Sequence, residues 1–496
     1  MGELTRRAIL LAGGGIIGGI AGAKLSAKKP SLSGTRSLQP AGAPNTLNDA
    51  SQLSETPIFR HTVAVENPGD VLVDAIRREI TEASENKRAF NIGAARHSMG
   101  GHAIPSNGHA MTFENGFTQY RSRSNTYRAH AGARWSDVIA TLDPLGFGPK
   151  VMQSNNDFGV AATFCVNAHG WPAPHGPMGS TVRSLFIVRP DGELVRCSRT
   201  ENAPLFFATM GGYGLTGAII ELELDVEPNV NLEPTFLKIP AQEFAQFFVG
   251  AIDSGDVNMA YGRLNVDRDT FFEDAMLVTY RPAADQSVIV PAQGSGTLSQ
   301  LSRHVFRAQV NNEIAKDARW WFETGLGPMI SDGVVTRNSL LNEPVVTLDD
   351  NDPMRTDILH EYFVPPGRFN DFITACQEVI PSSYQELLNI TLRYVAADSE
   401  SILSYAPAPR IACVMLFSQE LTQRAEADHE RMTRDLIDRV LDLGGTYYLP
   451  YRPHATLDQF RRAYPNAEKF VEEKKFYDPD LVFRNGFWDR YLANMA

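Results

Sequence analysis

The sequence predicts an α+β protein of two domains, and three observations carry that reading. The chain has 496 residues, more than one hydrophobic core usually serves, so at least two domains are expected. From about Glu55 to Leu224, short strand-like and helix-like stretches alternate. From residue 229 to residue 440, strands and helices mix without a recurring unit. Apolar residues make up 43% and charged residues 21%, which is the composition of a globular chain rather than a disordered or fibrous one.

The formal net charge of −12 averages two unlike parts. Residues 1–29 hold five Lys/Arg against one acid, and the remainder holds 41 basic against 57 acidic residues. An acidic body argues against a dedicated nucleic-acid binder, because phosphate neutralisation needs clustered Lys/Arg. Cys165, Cys197, Cys376 and Cys413 lie far apart and form no Cys-x-x-Cys pair. Neither a zinc ribbon nor a disulfide scaffold is supported.

Residues 1–29 read as an export signal. Thr5-Arg6-Arg7 precedes an apolar, Gly-rich run from Ala8 to Ala23, with small residues at Ala21-Gly22-Ala23 and Lys24 closing it. The paired arginines resemble a twin-arginine signal, the type that exports proteins already folded. The expected location is therefore periplasmic or extracellular, with membrane contact only through the leader if it is uncleaved. Gly13 to Gly18 fits Gly-x-Gly-x-x-Gly, but the acidic residue that a dinucleotide fingerprint places about 20 positions on is missing. Residues 30–54, rich in Pro, Ser and Gly, read as a linker.

The elements then follow in order. Val71 to Ala83 is amphipathic with helical spacing, with Val71, Ala75, Ile76 and Ile80 on one face. Arg88 to Ile92 reads as a strand entering a glycine loop. Ser136 is the expected N-cap of a helix ending near Leu142. Leu185–Val188 and Leu194–Cys197 flank a Pro-Asp-Gly turn and predict a hairpin. Glu201 to Met210 reads as a short helix stopped by Gly211-Gly212. Gly212 to Gly217 again fits Gly-x-Gly-x-x-Gly but leads into a strand-like run, Ala218 to Leu224, rather than a helix.

Three of these segments carry chemistry. In Gly93-Ala94-Ala95-Arg96-His97-Ser98, small residues after a strand can turn successive backbone N–H groups toward an anion, and Ser98 adds a hydroxyl. An ordinary tight loop is the competing reading. Asp157 to Gly170 is small and apolar and suits a stretch running buried beside a flat ligand; Gly159, Ala162, Thr163, His169 and Gly170 are its candidate contacts. The third is Gly211 to Leu224. His169 and His175 have no third ligand at metal spacing, so no metal site is expected.

In this order the three segments resemble those of the vanillyl-alcohol-oxidase type of FAD-linked oxidoreductase, with its PCMH-type FAD-binding domain. The run Val182-Arg183-Ser184-Leu185, Asp191-Gly192, Leu205-Phe206 and Gly211-Gly212-Tyr213-Gly214 continues the likeness, which covers about residues 55–228. The resemblance implies a two-subdomain FAD-binding domain over 55–228. It also implies an α+β substrate (cap) domain with a central antiparallel sheet over 229–440, and a C-terminal segment, 441–496, returning to the FAD domain. It further implies FAD as cofactor, with Gly93, Ala94, Ala95, Arg96, His97 and Ser98 at the diphosphate. His97 stands where the family often bonds covalently to the flavin, and Ile219 where the backbone contacts it. A second link through a cysteine is not expected, since the matching position is near Ala161; Cys165 reads as a small core residue.

The C-terminal half is less legible. Thr391 to Asp398 reads as a strand. It looks like the segment that carries a Glu-x-Arg pair near flavin N1 in sugar-, polyol- and aldonolactone-oxidising members, with Arg393 at the Arg position and Thr391 in place of Glu. A surface strand arginine is the competing reading. Arg452-Pro453-His454 partly matches the Arg-Pro-His-Trp-Gly-Lys segment of the lactone and polyol oxidases, whereas Ala455, Thr456 and Leu457 do not. His454 is a candidate general base, as are Tyr448 and Tyr451, which equally suit a pocket lining. The resemblance thus implies oxidation of an alcohol group of a small molecule (a sugar, polyol or lactone-like substrate) by hydride transfer to FAD, with O₂ as acceptor. A dehydrogenase passing electrons to a quinone or cytochrome, and a non-catalytic flavin-binding protein, are the alternatives.

Overall fold

The computed structural model describes residues 35–65, 69–293, 307–326, 328, 333–344 and 352–496. The expected export signal, with the first Gly-x-Gly-x-x-Gly, lies outside the described residues. The α+β class stands. Besides a two-stranded ribbon, the N-terminal half holds two larger sheets: a parallel one ordered Arg60–Ala64, His109–Phe113, Phe90–Ile92, and an antiparallel one with its main strands ordered Leu194–Ser198, Val182–Val188, Ala218–Pro228, Thr126–His130, Thr118–Arg121. The predicted hairpin is present, Val188 pairing with Leu194 across a turn in which Gly192 has φ +81°.

The helix Asp70–Glu85 covers the parallel sheet with the expected Ile76 and Ile80, Ala75 packing beside them, but Leu72 rather than Val71 starts the stripe. Leu72, Val73, Ile76, Ile80 and Ala83 pack on Ala64, Phe90 and Met111, while Val71 stays 63% exposed. Spacing of three and four residues from Leu72 carries this face, and Val71 falls about 100° off it. The helix ending at Leu142 starts at Trp135, so Ser136 lies inside it and Arg134 is the N-cap, its N–H donating to the Asp137 carboxylate at 2.8 Å. From residue 35 onward the expected linker is folded. Leu38 N–H donates to Leu421 C=O at 2.9 Å, Thr46–Leu47 pairs with Thr56–Pro57, and buried Asp49 accepts from Gly101 N–H at 2.8 Å.

The C-terminal half is built on one eight-stranded sheet, antiparallel throughout. Its order is Val335–Thr336, Asn231–Pro240, Asp274–Pro282, Met259–Leu264, Glu386–Val395, Arg410–Glu420, Arg355–Val364, Thr446–Tyr447. The helices Phe244–Asp253, Phe369–Val379 and Gln423–Asp442 share a core with one face, through Ile390, Leu392, Ile411 and Met415. Because successive strand residues point to opposite faces, the intervening residues Asn389, Thr391, Arg393, Leu359 and Glu361 face the N-terminal half and line a cavity there. The chain then returns to the first sheet. Phe90 N–H donates to Val482 C=O at 2.8 Å, and Asn485 Nδ2 donates to Tyr213 C=O at 2.9 Å.

Candidate active site

A cavity of about 1710 Å³ runs between the loops of the N-terminal half and the open face of the eight-stranded sheet. A drug-sized ligand needs roughly 300–1,000 Å³, so the space suits a large cofactor together with a smaller molecule. Gly93, Ala94, Ala95, Arg96, His97, Ser98, Gly159, Ala162, Thr163, His169, Ile219, Arg393, Tyr448 and Tyr451 all line it.

The first loop is held at its ends and free in its middle. Gly93 N–H donates to Met111 C=O and Met99 N–H to Pro450 C=O, at 2.9 and 2.7 Å. The N–H groups of residues 94–98 have no protein partner among the described residues, and Arg96 takes φ +54°. Right- and left-handed residues in succession make the concave row of N–H groups that binds anions. The Arg96 guanidinium folds over Gly93, where an added Cβ would sit 3.1 Å from Nε. It donates to Thr112 Oγ1 at 3.0 Å and, among the described residues, has no carboxylate within ion-pair distance and no partner for its buried Nε. Beside it, the His97 ring stacks on Phe158 at 4.1 Å, and burial pushes its imidazole below the usual range, keeping it neutral.

The second segment forms the short helix Val160–Cys165 and touches the first loop, a Cβ on Gly159 meeting Ala94 Cβ at 3.1 Å. Thr163 Oγ1 accepts from Trp135 Nε1 at 2.9 Å and donates to Gln153 Oε1 at 3.0 Å. Cys165 also lines the cavity, with its thiol pushed up to about 12 by burial. Gly170 is a correction. It does not line the cavity; it lies where a side chain would strike Met152 C=O at 2.0 Å, so its role is close packing of backbone on backbone.

At the far wall His169 Nε2 is hydrogen-bonded to Glu361 Oε1, both residues buried. Tyr451 donates its hydroxyl to Glu361 Oε2 at 3.4 Å, and burial raises the phenols of Tyr448 and Tyr451 well above the usual range. Protonated phenols donate, so in this geometry the carboxylate of Glu361 is the acceptor. Sequence reasoning missed Glu361. Its signal, an acid within the apolar strand Arg355–Val364, gains meaning only when alternation sends it to the cavity face. Arg393 extends from the same face and donates to Ser154 Oγ at 2.7 Å.

His454 is the second correction. It stands on the helix side of the sheet, bonded to Glu426 Oε1 at 3.0 Å and Thr433 Oγ1 at 3.2 Å, and packed against His360 and His429. It does not line the cavity, so no substrate proton there reaches it directly. Its neighbour Arg452 pairs with Glu426 and donates to Met99 C=O at 3.2 Å, bracing the first loop.

Residues 71–198 match the FAD binding domain family. The fold and this match define the chain as one that carries an FAD-binding domain. The chain is similar to cytokinin dehydrogenase 1 of Arabidopsis thaliana, 26% identical over 156 residues (30% of this chain, 27% of that one). It is 32% identical over 119 residues to cytokinin dehydrogenase 6 of Oryza sativa subsp. japonica, covering 22% and 23% of the two chains. It thus spans about a quarter of the length of these relatives. A longer likeness, 23% identity over 486 residues and 89% of each chain, links it to cytokinin dehydrogenase 3 of A. thaliana. The residues present fit FAD: an anion-binding loop with an unpaired cation suits the diphosphate, and small residues at 159–163 leave room for a flat ring.

Proposed function

We propose that the protein is an FAD-dependent oxidoreductase that takes a hydride from a carbon bearing a hydroxyl group in a small molecule. The observation that carries this reading is the buried Glu361 carboxylate, held by His169 and Tyr451 at the wall of a cavity whose opposite wall is the FAD-binding loop. FAD, when bound, supplies the hydride acceptor. The loop 93–98 and Arg96 would hold its diphosphate, with Gly159, Ala162, Thr163 and Ile219 beside its ring system.

The chain's own residues supply the rest. A hydride leaves a C–OH carbon readily only as the hydroxyl proton departs, and a fixed carboxylate within reach takes it. His169 orients that carboxylate. Tyr451 donates to its second oxygen, leaving lone pairs for the substrate. Arg393, from the same face, supplies positive charge where negative charge develops. His97, neutral and beside the first loop, is the proposed point of covalent attachment. The basic leader is the proposed export signal.

Anaerobic mixing of the FAD-loaded protein with an alcohol, polyol or lactone donor should bleach the flavin absorbance. Absence of bleaching across such a panel sinks the reading. The relatives favour a second one, since they are named dehydrogenases of cytokinins: a cytokinin as donor and an acceptor other than O₂. Bleaching by a cytokinin but by no alcohol, without H₂O₂ release in air, selects it.

A further inference from the structure

The cavity wall built by the eight-stranded sheet carries two arginines, and neither has a carboxylate partner among the described residues. Arg263 donates from Nη1 to Thr391 Oγ1 at 2.8 Å, and Arg393 donates from Nη2 to Ser154 Oγ at 2.7 Å. The Nε of Arg393 is buried and unpaired. The pairing of strands places Arg263 directly opposite Thr391, two positions from Arg393 and on the same face. Of the acids nearby, Glu323 pairs with Arg319 at 2.6 Å, and Glu361, whose charge reaches Arg393 only through space, makes its hydrogen bonds to His169 and Tyr451. A guanidinium does not give up its charge in a protein, and buried charges are ordinarily paired. Here two half-buried guanidinium groups have only neutral partners on their own side: a hydroxyl for each, and for Arg263 also the Tyr261 ring at 5.5 Å.

Aromatic rings frame the same wall. Trp171 stands edge-to-face with Tyr261 at 5.3 Å and with Tyr280 at 5.7 Å, and all three line the cavity. We propose that Arg263 and Arg393 form the binding site for a carboxylate group of the substrate, whose apolar body lies against Trp171, Tyr261 and Tyr280. This deepens the oxidoreductase reading and rests on it for the word substrate. A carboxylate offers two acceptor oxygens that match the guanidinium fork, a geometry a lysine does not reproduce. The donor is then an anion, such as a hydroxy acid with an apolar or aromatic body, rather than a neutral sugar or polyol. Arg263 is the specificity-determining residue, because its side chain reaches no group of the proton-accepting set.

The test uses the full FAD-loaded protein and calorimetric titration at low salt, with benzoate as probe and benzamide as its neutral counterpart. Benzoate is expected to bind at least tenfold more tightly than benzamide, and its affinity to fall as salt is raised. Arg263→Ala should lower benzoate affinity about tenfold or more and leave benzamide unchanged, with Arg263→Lys recovering only part. Equal affinity for the two probes in the unaltered protein overturns the proposal, as does a benzoate preference that survives in a folded, yellow Arg263→Ala protein. Because binding is read by heat, it stands or falls separately from flavin bleaching, which tests the oxidoreductase reading itself.

Discussion

His169 and Glu361 are hydrogen-bonded to each other at the cavity wall although 192 positions separate them in the chain. One comes from the apolar segment of the FAD-binding half and the other from the eight-stranded sheet. Their pairing therefore joins the two halves of the chain at the cavity they share. Replacing Glu361 by Gln keeps the shape and removes the proton acceptor. The rate of anaerobic flavin bleaching by a true donor should fall by about 10²–10⁴-fold, with flavin absorbance retained. A rate within threefold of the unaltered protein would assign the proton transfer elsewhere. His169→Asn should lower the rate less, because it disturbs only the orientation of the carboxylate.

His97 offers a neutral imidazole to the cavity. Acid precipitation of the purified holoprotein should leave the yellow colour in the pellet, and His97→Ala should release all flavin to the supernatant. Colour in the supernatant from the unaltered protein would rule out the covalent bond.

Arg96 presents an unpaired Nε beside the free N–H groups of the first loop. Hydrogen bonds to charged groups contribute about 1.5–3 kcal/mol, so Arg96→Ala should weaken FAD rebinding by roughly 10- to 150-fold. The measurement is fluorescence quenching on titrating FAD into protein refolded without it. In a His97→Ala background the comparison is free of any covalent bond.

Stability should decline on acidification from neutral pH. His102 is held neutral down to about 3 and His130 down to about 4, in both cases because burial disfavours the charged ring. His130 Nδ1 also accepts from Gly132 N–H at 3.1 Å, a bond that protonation would remove. The unfolded chain takes up a proton near pH 6.5, whereas the folded chain does not. Folding is therefore favoured above 6.5 and loses up to about 1.4 kcal/mol per pH unit for each group below it. Urea midpoints at pH 7.5, 5.5 and 4.5 should fall in that order. A flat profile would contradict the assignment.

Much of the fold was legible because local rules governed it. The hairpin was readable from its Pro-Asp-Gly turn, and the first loop from small residues after a strand. The amphipathic helix was found in place, with Ile76 and Ile80 on the packed face and Ala75 beside it, and only Val71 falls outside that face. The site beyond the cofactor was harder. Arg393 and Glu361 share one wall only because strand alternation and the pairing order of the sheet bring them there; a partial Glu-x-Arg likeness pointed to Arg393, whereas no motif marks Glu361. His454 misled for the complementary reason. Its motif was partly present, but the same alternation that turns Glu361 toward the cavity turns His360 away from it, and His454 packs with His360.

The return of residues 482–485 to Phe90 and Tyr213 has a consequence for biosynthesis. Strand partner and anchor for the cofactor cradle are encoded almost four hundred positions after the loop they support. A ribosome that has made the whole FAD-binding stretch therefore still holds an unfinished cradle. The cradle is completed only once residue 485 has cleared the exit tunnel, so the N-terminal half alone lacks the backbone partners that Phe90 and Tyr213 have in the folded chain.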